Sequence, residues 1–176
     1  MSDAFERLRW SIFEDVSSIR VVDNLQSPTP NLSPFVGHAI ATESASQVPL
    51  TKIAFASDDL MQYLDHPPEA LMVSRADGGI VTVADVVEQL SAYFLDHKEE
   101  ILMAMESLLE AITTPEISPN TRVFFDGFFG SIEPSGHPLP VCLWIEGQDG
   151  QSAEEHWAER ARWNKRCDER HNDNTT

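Results

Sequence analysis

In the stretch Thr121-Arg122-Val123-Phe124-Phe125-Asp126-Gly127-Phe128-Phe129-Gly130-Ser131-Ile132-Glu133, an Asp-Gly pair stands between two β-prone aromatic runs. Asp and Gly accept the positive φ that both central positions of a type I′ turn require. The composition therefore predicts a two-residue hairpin, with Phe125 facing Phe128 and Phe124 facing Phe129 on opposite sides of a sheet. Val123, Phe125, Phe128 and Ile132 supply its core side. Arg122, Phe124, Phe129, Ser131 and Glu133 make a mixed second side. Pro134 to Pro140 turns the chain again, and Val141 to Glu146, carrying Trp144, is a third antiparallel strand.

The flanking pattern fills in an α+β domain. Leu50, Ile53 and Phe55 suggest a first strand, with a short helix from Ser57-Asp58-Asp59-Leu60 through Tyr63 as an alternative, and Ala70 to Ser74 is a second strand before the Asp77-Gly78-Gly79 turn. Thr82 and Asp85 resemble a capping box ahead of the apolar-periodic run Val83, Val86, Val87, Leu90 and Phe94, and Ile101 to Ile112 gives a second helix or continues the first. The expected architecture is a small antiparallel sheet packed on two central helices, with N- and C-terminal helices.

Four segments follow. Phe5, Leu8, Ile12, Val16 and Ile19 repeat at spacings of three and four, which predicts an N-terminal amphipathic helix within residues 1–22. Pro28, Pro30 and Pro34 make residues 23–47 a linker or long loop. The α+β core covers 48–150. Ser152 as N-cap, early glutamates and late arginines match the helix macrodipole, so residues 151–176 should hold a terminal helix and a disordered tail.

Charge narrows the function classes. The 176 residues include 29 Asp+Glu against 12 Lys+Arg, a net −17; residues 1–150 hold 23 acidic and 7 basic side chains, whereas 151–176 hold 6 and 5. Such a body repels a nucleic-acid backbone or an anionic membrane surface over about a Debye length. No run approaches the roughly 18 apolar residues of a membrane span, and the first residues do not read as a signal peptide, so a cytoplasmic protein with two free thiols, Cys142 and Cys167, is expected.

Residues 80–90, Ile-Val-Thr-Val-Ala-Asp-Val-Val-Glu-Gln-Leu, then Arg122, Phe128-Phe129-Gly130-Ser131-Ile132-Glu133-Pro134 and Leu143-Trp144-Ile145, resemble a family of small uncharacterised domains abundant in fungi. The resemblance covers about 48–147. It implies a strand pair, a threonine-capped helix, an arginine-led strand and a tryptophan-bearing final strand. It supplies no activity and no catalytic residues, and this chain departs from it at Ala84, in the aromatic run and in its C-terminal helix.

No chemical constellation stands out. There is no G-x-S-x-G elbow and no glycine-rich phosphate loop, and Cys142, alternating with apolar neighbours, reads as a packing thiol. Cys167, His171 and His156 lack the ligand number and spacing of a zinc site, so no metal and no cofactor are expected. Asp65-His66 and Asp96-His97 are sequence neighbours that seldom orient one another, and His137 is the histidine to test first if a reaction is found.

Two surfaces carry the functional expectation. Phe124 and Phe129, with Trp144, need either a covering helix, built around Phe5/Leu8/Ile12 or around Trp157/Ala161, or a protein partner. Arg162, Arg166 and Arg170 form a stripe beside Trp163 that can dock on an acidic partner or on the chain's own body. The sequence thus predicts a non-enzymatic protein-interaction or adaptor domain, self-associating or bound to a protein partner. The rival is a small enzyme or ligand-binding domain with a pocket near His66, His137 and Trp144.

Overall fold

The computed structural model describes residues 1–25, 30–65, 67–109, 117–132 and 136–162. A four-stranded sheet in the order β5-β4-β7-β6 is built from β4 (Lys52–Ser57), β5 (Leu71–Ser74), β6 (Val123–Phe128) and β7 (Leu139–Ile145). A three-stranded antiparallel ribbon precedes it: β1 (Leu8–Arg9), β2 (Arg20–Val22) and β3 (Leu32–Pro34). The helices are α1 (Asp58–Tyr63), α2 (Val83–Asp96), α3 (Lys98–Leu109) and α4 over 153–162.

The class is α+β as expected, but the sheet is mixed. β4 runs parallel to β7, with Phe55 opposite Leu139 and Ser57 opposite Val141. The helical segment 83–109 lies between β5 and β6 in sequence, and on the chain's return β7 enters beside β4 while β6 takes the edge. Alternation then sorts the side chains. Ile53, Phe55, Val73, Val123, Phe125, Leu139, Val141 and Ile145 point into one core with Val83, Val86, Val87, Leu90 and Phe94 of α2 and Ile101, Ala104 and Met105 of α3. Thr82 starts α2 with a full capping box: Thr82 N–H donates to Asp85 Oδ2 at 2.7 Å, and Asp85 N–H donates to Thr82 Oγ1 at 3.3 Å.

The N-terminal segment is not an amphipathic helix. Asp3–Arg7 is one short 3₁₀ helix and Val16–Ser18 another, and between them Leu8, Trp10 and Ile12 alternate into the core, each at most 1% exposed. The period-three-and-four reading passed over Trp10, whose inclusion makes the run a strand pattern. Its backbone bonds follow: Phe125 N–H donates to the Trp10 carbonyl at 3.0 Å, and Ile12 N–H to the Val123 carbonyl at 2.9 Å. Trp10–Ile12 thereby closes the free edge of β6. Residues 30–47 also join the core, through Phe35, Ile40 and Ala45, instead of forming a linker.

The Asp126-Gly127 pair is not a hairpin turn. β6 runs straight through it, with Phe125 opposite Leu143, Gly127 opposite Cys142 and Phe128 opposite Val141, so Asp126 is the extra residue of a β-bulge. Gly127 holds φ 143, in the region L side chains avoid. The core explains the extension, since Phe128 packs against Phe5, Phe55 and Phe125 at centroid distances of 5.0, 5.3 and 5.0 Å. The bulge puts Phe125 and Phe128, three residues apart, on the same face. It also turns the Asp126 carboxylate toward the opposite side of the sheet. Phe129, Ser131 and Ile132 lie beyond the strand.

Candidate interaction site under the C-terminal helix

The outer face of β6 and β7 carries Phe124, Trp144 and Cys142, and α4 lies on it. The helix starts on its own capping box, with Ser152 N–H donating to Glu155 Oε2 at 2.9 Å and Glu155 N–H to Ser152 Oγ at 3.3 Å. The Ser152 N–H and then the Ser152 hydroxyl, which donates to the same oxygen at 2.9 Å, hold the Glu155 carboxyl below its ordinary range. With the start fixed, His156, Trp157 and Arg160 fall on the side facing the sheet.

Aromatic contacts form the floor. Phe124 packs on Trp144 with centroids 5.8 Å apart, and Trp157 meets Phe124 edge-on at 5.8 Å and 89°. His156 stacks on Trp144 at 4.1 Å and 12°. Three guanidinium groups surround these rings: Arg122 lies 4.8 Å from the Phe124 centroid, and Arg9 and Arg160 lie 4.4 and 5.8 Å from that of Trp157. Each aromatic pair is worth about 0.5–1.5 kcal/mol beyond area burial, and each cation–π contact about 0.5–2 kcal/mol depending on desolvation.

The polar anchor is the bulge residue. One oxygen of Asp126, Oδ1, takes both His156 Nε2 at 3.0 Å and Arg160 Nη1 at 2.5 Å. Burial acts to raise the Asp126 pKa, but the hydrogen bond from His156, the Arg160 and His156 charges and the Arg160 hydrogen bond outweigh it. The carboxyl is held below its ordinary range. Gly127 makes room for this clasp, because a Cβ there would sit 3.1 Å from Arg160 Nη2. Arg122 braces the strand start through Glu14 at 3.6 Å and Glu146 at 3.3 Å.

Chemically this arrangement holds a helix. Cys142, on the same outer face, is pushed up to about 11, mainly by burial and then by Asp58, Asp126 and Asp59, so it supplies no thiolate. Asp59 is raised to about 6 by burial and by Asp58. Among the described residues, no group of three or more His, Cys, Asp or Glu side chains is placed to hold a metal ion, and no helix is long and apolar enough to cross a membrane.

Of the residues singled out in the sequence, Phe124 and Trp144 come together here, 4% and 7% exposed beneath α4. The covering helix is the Trp157 one. Phe129 stands apart at 70% exposed. Arg162 is exposed, and its Nε donates to the Ala158 carbonyl of its own helix at 3.1 Å; Arg160 makes the contact with the body instead. Trp163, Arg166, Cys167, Arg170, His171 and His66 lie outside the described residues. His137 is exposed ahead of β7, and Trp144 is near the strand's far end on the outer face, beneath α4.

The sequence reading missed Asp126, His156, Arg160 and Arg9 as site residues. Asp126 was hidden by its assignment to a turn. His156, Trp157 and Arg160 carried a usable signal, since they occupy one helical face at i, i+1 and i+4. No protein-family model matches the chain, and neither the curated proteins nor the solved structures compared with it give a significant match.

Proposed function

We propose that this protein is a non-enzymatic protein-interaction or adaptor domain whose outer sheet face binds a helix, and that α4 occupies that face in cis. The observation that carries the reading is the clasp itself. α4 rests on Phe124 and Trp144 through one acidic side chain and ring contacts, a polar-anchored and separable seam, whereas α2 is sunk in the apolar core. A partner helix with an aromatic residue and an arginine one turn later has the same complementarity, and so does α4 of a second copy, which makes self-association one form of the function. Residues 48–147 we regard as the part comparable to the small fungal domains.

Both sheet edges favour recognition through the face over strand addition. Trp10–Ile12 occupies the β6 edge. On β5, Gln89 receives the Ser74 N–H at 3.4 Å and donates to its carbonyl at 3.1 Å.

The test adds a labelled peptide of residues 151–176 to the full-length protein and to its Trp157→Ala variant, whose own helix is loosened. The reading predicts saturable binding to the variant and much weaker binding to the wild type, and loss of both when Asp126→Ala is added. No binding to the loosened variant contradicts it. For self-association, a strictly monomeric sedimentation profile at high concentration counts against that form.

A further inference from the structure

The chain's only three basic side chains before Lys52 are Arg7, Arg9 and Arg20, and all three belong to the N-terminal ribbon or the turn entering it. Arg9 and Arg20 are direct cross-strand partners of β1 and β2, so their side chains leave the same face of the ribbon. Like charges placed opposite each other in this way are destabilising. In a chain of net −17, the expected remedy is a neighbouring carboxylate.

Among the described residues, no ion pair supplies it. Arg9 donates to the Glu6 and Leu8 carbonyls, both at 3.3 Å; Arg20 donates to the Ser17 and Ile19 carbonyls, and Arg7 to the Val22 carbonyl. Among the described residues none of the three has a carboxylate at ion-pair distance, whereas Arg75, Arg122 and Arg160 each do. Arg9 also shares the Trp157 ring with Arg160, adding a third guanidinium on that side. Burial first, and then the Arg160 charge, push the Arg9 guanidinium down to about 10.

We infer that the face formed by Arg9, Arg20 and the Arg9-capped edge of Trp157 binds a short acidic segment of a partner protein, with carboxylates spanning the two arginines. Arg20 is exposed and Arg9 half-buried, so the pair offers one accessible and one preorganised donor set. Arg forks match carboxylates bidentately, and in a chain of net −17 two such forks suit a few carboxylates on a compact segment. The same body disfavours a long polyanion, so an acidic peptide fits better than nucleic acid. The inference rests on the interaction-domain reading and extends it to a second surface.

The experiment titrates full-length protein into fluorescein-labelled octaglutamate at about 0.15 M salt, followed by anisotropy, with octalysine and an octathymidylate DNA strand alongside. Saturable octaglutamate binding is expected, weakened about tenfold by Arg20→Gln and again by Arg9→Gln, and unchanged by Lys52→Gln on β4. Arg20 is exposed, so its variant should keep the wild-type circular dichroism and report on binding even where Arg9→Gln perturbs the fold. Absence of saturable binding, equal affinity in Arg20→Gln, or DNA binding as tight as octaglutamate overturns the inference. If α4-peptide binding persists while octaglutamate fails, only the acidic-partner assignment is lost; if both fail, the interaction-domain reading falls with it.

Discussion

The imidazole of His156 lies flat on the indole of Trp144, centroids 4.1 Å apart and planes 12° from parallel, while its Nε2 reaches Asp126 Oδ1 at 3.0 Å. One side chain thus ties α4 to two adjacent strands, by its face to β7 and by its edge to the bulge of β6. Removing the ring or the carboxylate should loosen the helix without touching the core on the other side of the sheet.

The two phenylalanines that the sequence pattern pairs on one surface should behave differently. Phe124 is enclosed by Trp144, Trp157 and Arg122, so Phe124→Ser is expected to cost about 3 kcal/mol. Phe129, largely exposed, should tolerate the same change within about 0.5 kcal/mol. Urea unfolding of the two single variants checks this.

Gly127→Ala should destabilise by roughly 1–3 kcal/mol, because it imposes a side chain at φ 143 and a Cβ 3.1 Å from the Arg160 guanidinium. The Arg160→Ala background relieves the contact but not the backbone cost. A double-mutant cycle should therefore show partial, not complete, rescue.

Acid should release α4. The Asp126 carboxyl has a folded pKa below its unfolded one, so its contribution is present above the ordinary carboxylate pKa and is lost as pH falls through the folded value. Acrylamide quenching of indole fluorescence should rise in that acidic window in the wild type. In Asp126→Asn the quenching should already be raised at neutral pH and should lack this transition.

Asp59 gives the opposite sign. Its folded pKa, about 6, lies above the unfolded value, so the favourable term is present below the unfolded pKa and is lost as pH rises through about 6. Asp59→Asn should stabilise the protein by roughly 1–2 kcal/mol at pH 8 and change little below pH 4. Thermal unfolding at the two pH values decides it.

Much of the fold was legible where one local rule governs one element. Thr82 and Asp85 announced α2, Ser152 announced α4, and Ile53/Phe55 announced β4. The errors arose where two periods fit the same residues. Leu8 and Ile12 suit a helix until Trp10 is counted, and Asp126-Gly127 suits a turn unless Phe128 is needed in the core beside Phe55. Both were settled by long-range packing that short windows do not contain. The site suffered in turn, because a bulge carboxylate, a helix histidine and an N-terminal arginine converge only after the sheet is assembled.

Hydrogen–deuterium exchange of the full-length protein most directly tests the claim that α4 is a separable occupant of a binding face. Amides of 153–162 should exchange through local opening, orders of magnitude faster than those of Val83–Asp96, and Trp157→Ala should speed the former while leaving the latter unchanged. Equal protection of α4 and α2, with both lost together in the variant, would make α4 part of the core and contradict the account.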